Sequence, residues 1–187
     1  MTAHLPLHTL YVSTHLGHRF QPLAPRSEDV VIEDIAHGLA FQCRFNGQTQ
    51  HFYSVAQHSL IVASLVPKRL ALAALLHDAA EAYLGDMVKP LKILFPEFSR
   101  IEASVMAVIG ERFGVDGFTD PLIKRADLIA LATEKRDLMP HSCEAWESLN
   151  GIAPLPSRIA ALPPQAAKQE FLEACRKLGL DGVRLTP

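Results

Sequence analysis

The chain alternates irregular stretches with apolar periodic runs, and most of those runs have a helical period. Residues 1–30 show no clean period and hold Pro6, Pro22 and Pro25. Glu33 to Leu39 predicts a short helix. Leu39 to Phe45 and Gln48 to Tyr53 then alternate around Asn46-Gly47. An Asn-Gly pair between alternating runs predicts a β-hairpin, because both residues tolerate positive φ. This is the only strand pairing the pattern supports.

Beyond it the period becomes helical. Ser54 and Gln57 form a capping box that opens a helix to about Val66. After Pro67 a second helix is predicted to about Leu84, stopped by Gly85. Pro90 opens a short helix from Leu91 to Leu94. Ser99 caps a longer one that ends near Phe113, with Gly114 at its stop. Asp120 caps and Pro121 starts a helix to about Leu138, ahead of Pro140. Asn150, Gly151, Pro154 and Pro156 mark a loop, and a last helix runs from about Pro164 to Leu178, ended by Gly179. The expected fold class is all-α, mainly helical, with a small N-terminal β-hairpin.

A length of 187 residues fits one domain with a sizeable core. The expected layout is an irregular segment and hairpin over 1–53, a helical core over 54–139, and a loop and helix over 140–187. Hydrophobic residues at 49% argue against disorder. A net charge of −2 argues against nucleic-acid and membrane-surface partners. A small anionic substrate stays compatible, because a local pocket can oppose the global sign. The apolar runs fall far short of the ~20 residues that span a bilayer, and Met1 to Pro6 lacks the basic and apolar segments of a secretory leader. Cys43, Cys143 and Cys175 are far apart with no CxxC pair, which reads as reduced packing thiols in a cytoplasmic protein.

The chemistry centres on His77-Asp78, set in the apolar stretch from Leu70 to Glu81. Two ionisable groups there are costly to bury unless something pairs them. A divalent metal pairs both, since an imidazole nitrogen and a carboxylate oxygen suit borderline and hard cations. Glu81 lies one helical turn on and shares the face of His77. Asp86, after Gly85, reads alone as a turn residue. With Glu81 it supplies two non-adjacent carboxylates for acid–base work. His58 shares a face with Ile61, Val62 and Leu65, and alone reads as a hydrogen-bonded core histidine. Asp127 shares a face with Ile123, Leu131 and Leu138, with Glu134 two turns on. An inward aspartate calls for a cation, which Lys124, a histidine or a metal could supply.

The order His58, His77-Asp78, Asp127 resembles the H…HD…D signature of the HD-domain metal-dependent phosphohydrolases. Ser54-Val55-Ala56-Gln57-His58-Ser59, followed by the run from His77 to Asp86, is similar to the branch of small bacterial 5′-deoxynucleotidases. The resemblance is clearest from about Glu33 to Asp137. It implies an all-α HD-domain bundle with one divalent ion (Mn²⁺, Co²⁺, Fe²⁺, Ni²⁺ or Zn²⁺) held by His58, His77, Asp78 and Asp127. By the same resemblance Glu81 and Asp86 act in catalysis; one of them orients the attacking water and the other protonates the leaving ribose oxygen, and the preferred assignment is Asp86 to the water and Glu81 to the leaving side. Lys92 and Arg44 resemble basic positions that meet the substrate phosphate. The stretch before His58 departs from the deoxynucleotidases: no tryptophan stands near Arg44, and Phe45 takes its place.

The implied reaction is hydrolysis of (deoxy)nucleoside 5′-monophosphates to nucleoside and phosphate. The implied partners are a small nucleotide and, by analogy with the branch, a second copy in a homodimer. The alternatives are a deoxynucleoside triphosphate triphosphohydrolase with the same ligands, and a non-catalytic metal- or nucleotide-binding regulatory module. Alarmone hydrolysis fits less well, because Glu81 is followed by Ala82 rather than a second acid. A purely structural helical protein would leave His77, Asp78 and Asp127 buried without a partner. Trp146 reads as ordinary packing.

Overall fold

The computed structural model describes residues 9–141 and 144–180. Met1 to Pro6 and Cys143, discussed above, lie outside the described residues. The fold is mainly helical. A two-stranded hairpin, β1 (Val12–Ser13) and β2 (Arg19–Phe20), comes first. Eight α-helices follow among the described residues: α1 (Ile32–Phe41), α2 (Val55–Ser64), α3 (Ala71–Leu75), α4 (Glu81–Leu84), α5 (Lys89–Leu94), α6 (Pro96–Phe113), α7 (Pro121–Leu138) and α8 (Pro164–Lys177).

The hairpin is not where the alternation placed it. It pairs Val12 with Phe20 and Ser13 with Arg19, and turns at Gly17 with φ 82°. The residues expected to form its first strand, Leu39 to Phe41, end α1 instead. Leu39 and Ala40 are both fully buried, which an alternating strand with one wet face would not allow. Tertiary packing thus overrides the local pattern. The chain does reverse at Asn46, where Phe45 and Asn46 both have positive φ. The reversal closes on one isolated bridge, Cys43 with Ser54, rather than a ladder.

Packing centres on α1 and α2. Helix α1 lies against α8, α4 and α2, while α2 also packs on α3, α7 and α8. Gly38 sets the approach of α1 to α4: a Cβ there would meet Ala82 at 2.8 Å, so only glycine fits. Phe20, Ile35, Leu39, Leu76, Ile109 and Phe171 fill the main core. Val62, Leu70, Ala74, Ile123 and Ala130 form a second cluster where α2, α3 and α7 meet.

Two caps differ from the sequence reading. Ser54 does accept from the Gln57 amide at 3.1 Å, but the Gln57 side chain does not reach back. It donates to the Ala160 carbonyl and accepts from the Leu162 amide, both at 2.8 Å, and so pins the C-terminal loop beside α2. Helix α6 begins at Pro96, one turn before Ser99, because proline at the first position needs no amide partner. Asp120 caps α7 as expected, accepting from the Leu122 amide at 2.8 Å.

Candidate functional site

The predicted helix from Pro67 to Leu84 is broken, and the break makes the site. It divides into α3, a tight turn over residues 76–80, and α4. Within the turn, amides bond carbonyls three residues back, Ala79 to Leu76 and Glu81 to Asp78. The Ala74 carbonyl, which a continuing helix would give to the Asp78 amide, accepts from His77 Nδ1 at 2.7 Å. The His77 side chain thus competes with the helix ladder. His77 and Asp78 therefore sit on a turn between α3 and α4, not on a helical face.

Three elements converge there. His58 comes from α2, Asp127 from α7, and His77-Asp78 from the turn. Ligand atoms of His58, His77 and Asp127 all lie within 4.8 Å of one another. Asp127 Oδ1 is 3.2 Å from His58 Nε2. Asp78 Oδ2 is 3.2 Å from His77 Nε2 and 3.7 Å from His58 Nε2.

Hydrogen bonds fix which ring nitrogens face inward. Carbonyls and carboxylates only accept, so His77 Nδ1–H donates to Ala74 and His58 Nδ1–H donates to Glu134 Oε1 at 2.6 Å. Both Nε2 atoms are buried and have no hydrogen-bond partner. Two such nitrogens facing two carboxylates gather lone pairs and negative charge, which suits a cation, a proton or a metal ion. Imidazole and carboxylate donors suit a divalent ion of the Mn²⁺ to Zn²⁺ series; His58, His77 and Asp127 form a group that could hold one, and Asp78 Oδ2 lies beside both Nε2 atoms.

Burial is the largest influence on the His58 pKa and lowers it, as does Arg44. Glu134 and Asp127 outweigh both and hold the pKa up at about 10. Burial would raise the Asp127 carboxyl, but His58, His77 and Arg44 keep it well below the usual carboxylate range. Burial likewise opposes the ionised Glu134, yet Arg44, His58 and Tyr53 hold it down to about 2.

The acid–base candidates lie on the next turn. Glu81 opens α4 and is buried; Asp86 follows Gly85, whose φ of 85° lets the chain leave the helix. Burial pushes the Glu81 carboxyl up to about 9, and Asp78 and Asp86 add repulsion against the pull of Lys92 and Arg44. Asp86 is raised as well, mainly by burial. Gln42, at the end of α1, ties this turn shut. With its amide oriented to satisfy both neighbours, it donates to the Glu81 carbonyl at 3.0 Å and accepts from the Asp86 amide at 2.9 Å.

The two basic candidates are close to the centre and already paired. Arg44 Nη2 is 3.2 Å from Glu134 Oε2, and Nη1 is 3.9 Å from Asp78 Oδ2. Lys92 Nζ lies 2.7 Å from Glu102 and 3.7 Å from Glu81. His77, Asp78 and Lys92 open onto a cleft of 610 Å³, walled by α6 and the loop after it, with Ala103, Met106 and Phe118 among its apolar residues. Trp146, read as packing, is half-buried; its ring stands 6.1 Å from that of Phe45, beside Arg44. Phe45 carries the Arg44 guanidinium 5.2 Å from its ring centre, while the cation over the Trp146 ring is Lys135, at 4.9 Å.

The sequence is 42% identical over 164 residues to the uncharacterized protein YfdR of Escherichia coli, spanning 87% of this chain and 92% of that one. The chain belongs to the YfdR family. An uncharacterized protein of Rhodobacter capsulatus is 44% identical over 120 residues, 59% of this chain and 61% of that one. No protein-family model matches the sequence. In this YfdR-family chain the fold gathers every residue singled out from the sequence: His58, His77, Asp78 and Asp127 at the centre, with Glu81, Asp86, Arg44 and Lys92 around it. It adds Gln42, Tyr53, Glu102 and Glu134. Of these, Glu134 carried a signal, since it follows Asp127 by seven residues on one helical face. The other three reach the site only through tertiary packing.

Proposed function

We propose that the chain is an HD-domain metal-dependent phosphohydrolase that hydrolyses the phosphomonoester of (deoxy)nucleoside 5′-monophosphates. The observation that carries this reading is the pair of buried, unbonded Nε2 atoms of His58 and His77 facing Asp78 and Asp127. His58, His77, Asp78 and Asp127 would hold a divalent ion, which would supply electrostatic activation of water and of a phosphoryl oxygen. The chain's own groups supply the rest. Glu81, protonated near neutral pH, is suited to give a proton to the leaving oxygen. Asp86 orients the attacking water. Arg44 and Lys92 offset charge on the phosphate, each by sharing a contact it now makes with a carboxylate.

The cleft favours a monophosphate over a triphosphate. Asp78, Glu102, Glu111 and Asp116 line it against one lysine, Lys92, which is itself paired. Such a wall repels a chain of further phosphates and accepts an uncharged nucleoside. Free thiols at Cys43 and Cys175 fit a reducing compartment, so we place the enzyme in the cytoplasm. Among the described residues no helix is long and apolar enough to cross a membrane.

The test is a product screen over nucleoside mono- and triphosphates with Mn²⁺, Co²⁺, Ni²⁺ and Zn²⁺. Inorganic phosphate from monophosphates supports the reading. Release of triphosphate replaces it with the triphosphohydrolase, and bound metal without turnover replaces it with a regulatory module.

A further inference from the structure

Glu134 touches neither the cleft nor the face that a metal would occupy, yet three site residues converge on it. It is fully buried on α7, two turns after Asp127. Its Oε1 accepts from His58 Nδ1 at 2.6 Å and from the Tyr53 hydroxyl at 3.0 Å. Its Oε2 faces Arg44 Nη2 at 3.2 Å. These partners come from three separate places: the loop after α1, the extended segment before α2, and α2 itself. One carboxylate therefore sets the rotation and tautomer of an imidazole on one side and the position of a guanidinium on the other.

A buried carboxylate with no direct task in binding is expensive, and an apolar residue packed in its place costs less. The expense has a function where the carboxylate orients a histidine. An imidazole whose Nδ1–H is held by a carboxylate presents Nε2 with its lone pair in a fixed direction and with raised basicity. Its partner Arg44 completes the case, because Nη1 of the same guanidinium lies 3.9 Å from Asp78. The contacts thus run in a chain, His58 to Glu134 to Arg44 to Asp78, which joins two of the four residues that fit a metal.

We propose that Glu134 is the positioning residue of the centre, holding His58 for the cation through Oε1 and Arg44 for the anion through Oε2. The inference rests on the reading of His58, His77, Asp78 and Asp127 as a metal site. It does not require that the site hydrolyse nucleotides.

The experiment compares the parental protein with Glu134→Gln, by calorimetric titration with Mn²⁺ and by the visible spectrum of the Co²⁺ form. Loss of a histidine's orienting partner lowers metal affinity by roughly 10–100-fold, so Glu134→Gln is expected to bind Mn²⁺ at least ~10-fold more weakly and to shift the Co²⁺ bands. Inorganic phosphate should also bind the Mn²⁺-loaded variant more weakly, because Arg44 loses its anchor. A folded Glu134→Gln with parental Mn²⁺ affinity and an unchanged Co²⁺ spectrum overturns the proposal. Should that variant fail to fold, Glu134→Asp keeps the charge but withdraws it by one methylene, and the same two readouts decide. A parental protein that binds Mn²⁺ without hydrolysing any nucleotide overturns the proposed function and leaves this inference standing. One that binds no divalent ion overturns this inference as well.

Discussion

The imidazoles of His58 and His77 stand 5.4 Å apart, centroid to centroid, with both outward nitrogens already committed to acceptors and both Nε2 atoms unbonded. That relationship turns two nitrogen lone pairs towards the carboxylates of Asp78 and Asp127, between a helix, a turn and a second helix. Its pH behaviour follows from the partners. Without a metal ion, Glu134 and Asp127 keep the His58 pKa at about 10 against burial and Arg44. A metal must therefore displace a proton from Nε2 across most of the accessible range. Apparent Mn²⁺ affinity should fall roughly tenfold for each pH unit lost below that value, one proton being released per ion bound. Calorimetry in buffers of different ionisation enthalpy counts that proton directly. An affinity that does not change with pH would overturn the exchange of a proton for the metal at His58, and His77→Ala should abolish binding altogether.

Glu81 gives a prediction that sets stability against activity. Its carboxyl is pushed from an ordinary value of 4.5 up to about 9, first by burial and then by Asp78 and Asp86. Between those values the unfolded chain releases a proton that the folded chain keeps. Stability is therefore fully present below the lower value and declines as pH rises towards the upper one. Glu81→Gln removes that decline. In metal-free protein at pH 8 the variant should melt higher, by about 2–4 °C for each ~1 kcal/mol recovered. The same substitution removes the proton donor, so nucleotide hydrolysis should drop roughly 10²–10⁴-fold with metal still bound. Thermal melts across pH and steady-state rates check both halves. A melting curve parallel to the parental one together with parental turnover would remove Glu81 from the mechanism.

The residues of the site were legible in the sequence to a greater degree than the path of the chain between them. His58, His77, Asp78 and Asp127 stand out because each is an ionisable group on an apolar background, and that anomaly survives folding. The break at His77 is invisible to periodicity, because Leu70, Ala73, Ala74 and Glu81 fit one long helix as well as two short ones. It depends on a side chain taking the Ala74 carbonyl, a contact with no sequence mark. The misplaced hairpin has a similar cause. Alternation at Leu39 to Phe45 is real, but Ala82 against Gly38 and the α8 face commit Leu39 and Ala40 to helix. Gln42 and Glu102 were silent for another reason: a polar residue at a helix end or on a cleft wall looks like any solvated one until its partner is brought to it.

Gln42 is the residue whose removal separates the metal from the acid–base turn. Its side chain joins the Glu81 carbonyl to the Asp86 amide, and its own carbonyl accepts from the Val55 amide at 3.1 Å, at the start of the helix that carries His58. The residue therefore braces the Glu81–Asp86 turn against α2. Gln42→Leu keeps similar bulk and removes both side-chain bonds. The Asp86 amide loses its partner, at a cost of about 1–3 kcal/mol where it is left unpaired, while the Glu81 carbonyl keeps the Gly85 amide at 2.8 Å. None of the four residues that fit a metal touches this amide, so Mn²⁺ affinity should stay within a few-fold of parental. Turnover should fall steeply, because Asp86 no longer holds its place beside Glu81. Amide hydrogen exchange should show Asp86 N–H losing protection, a readout that does not depend on any assigned activity. Parental exchange at Asp86 would mean that the turn holds itself. Lost metal affinity would mean that Gln42 braces α2 rather than the turn.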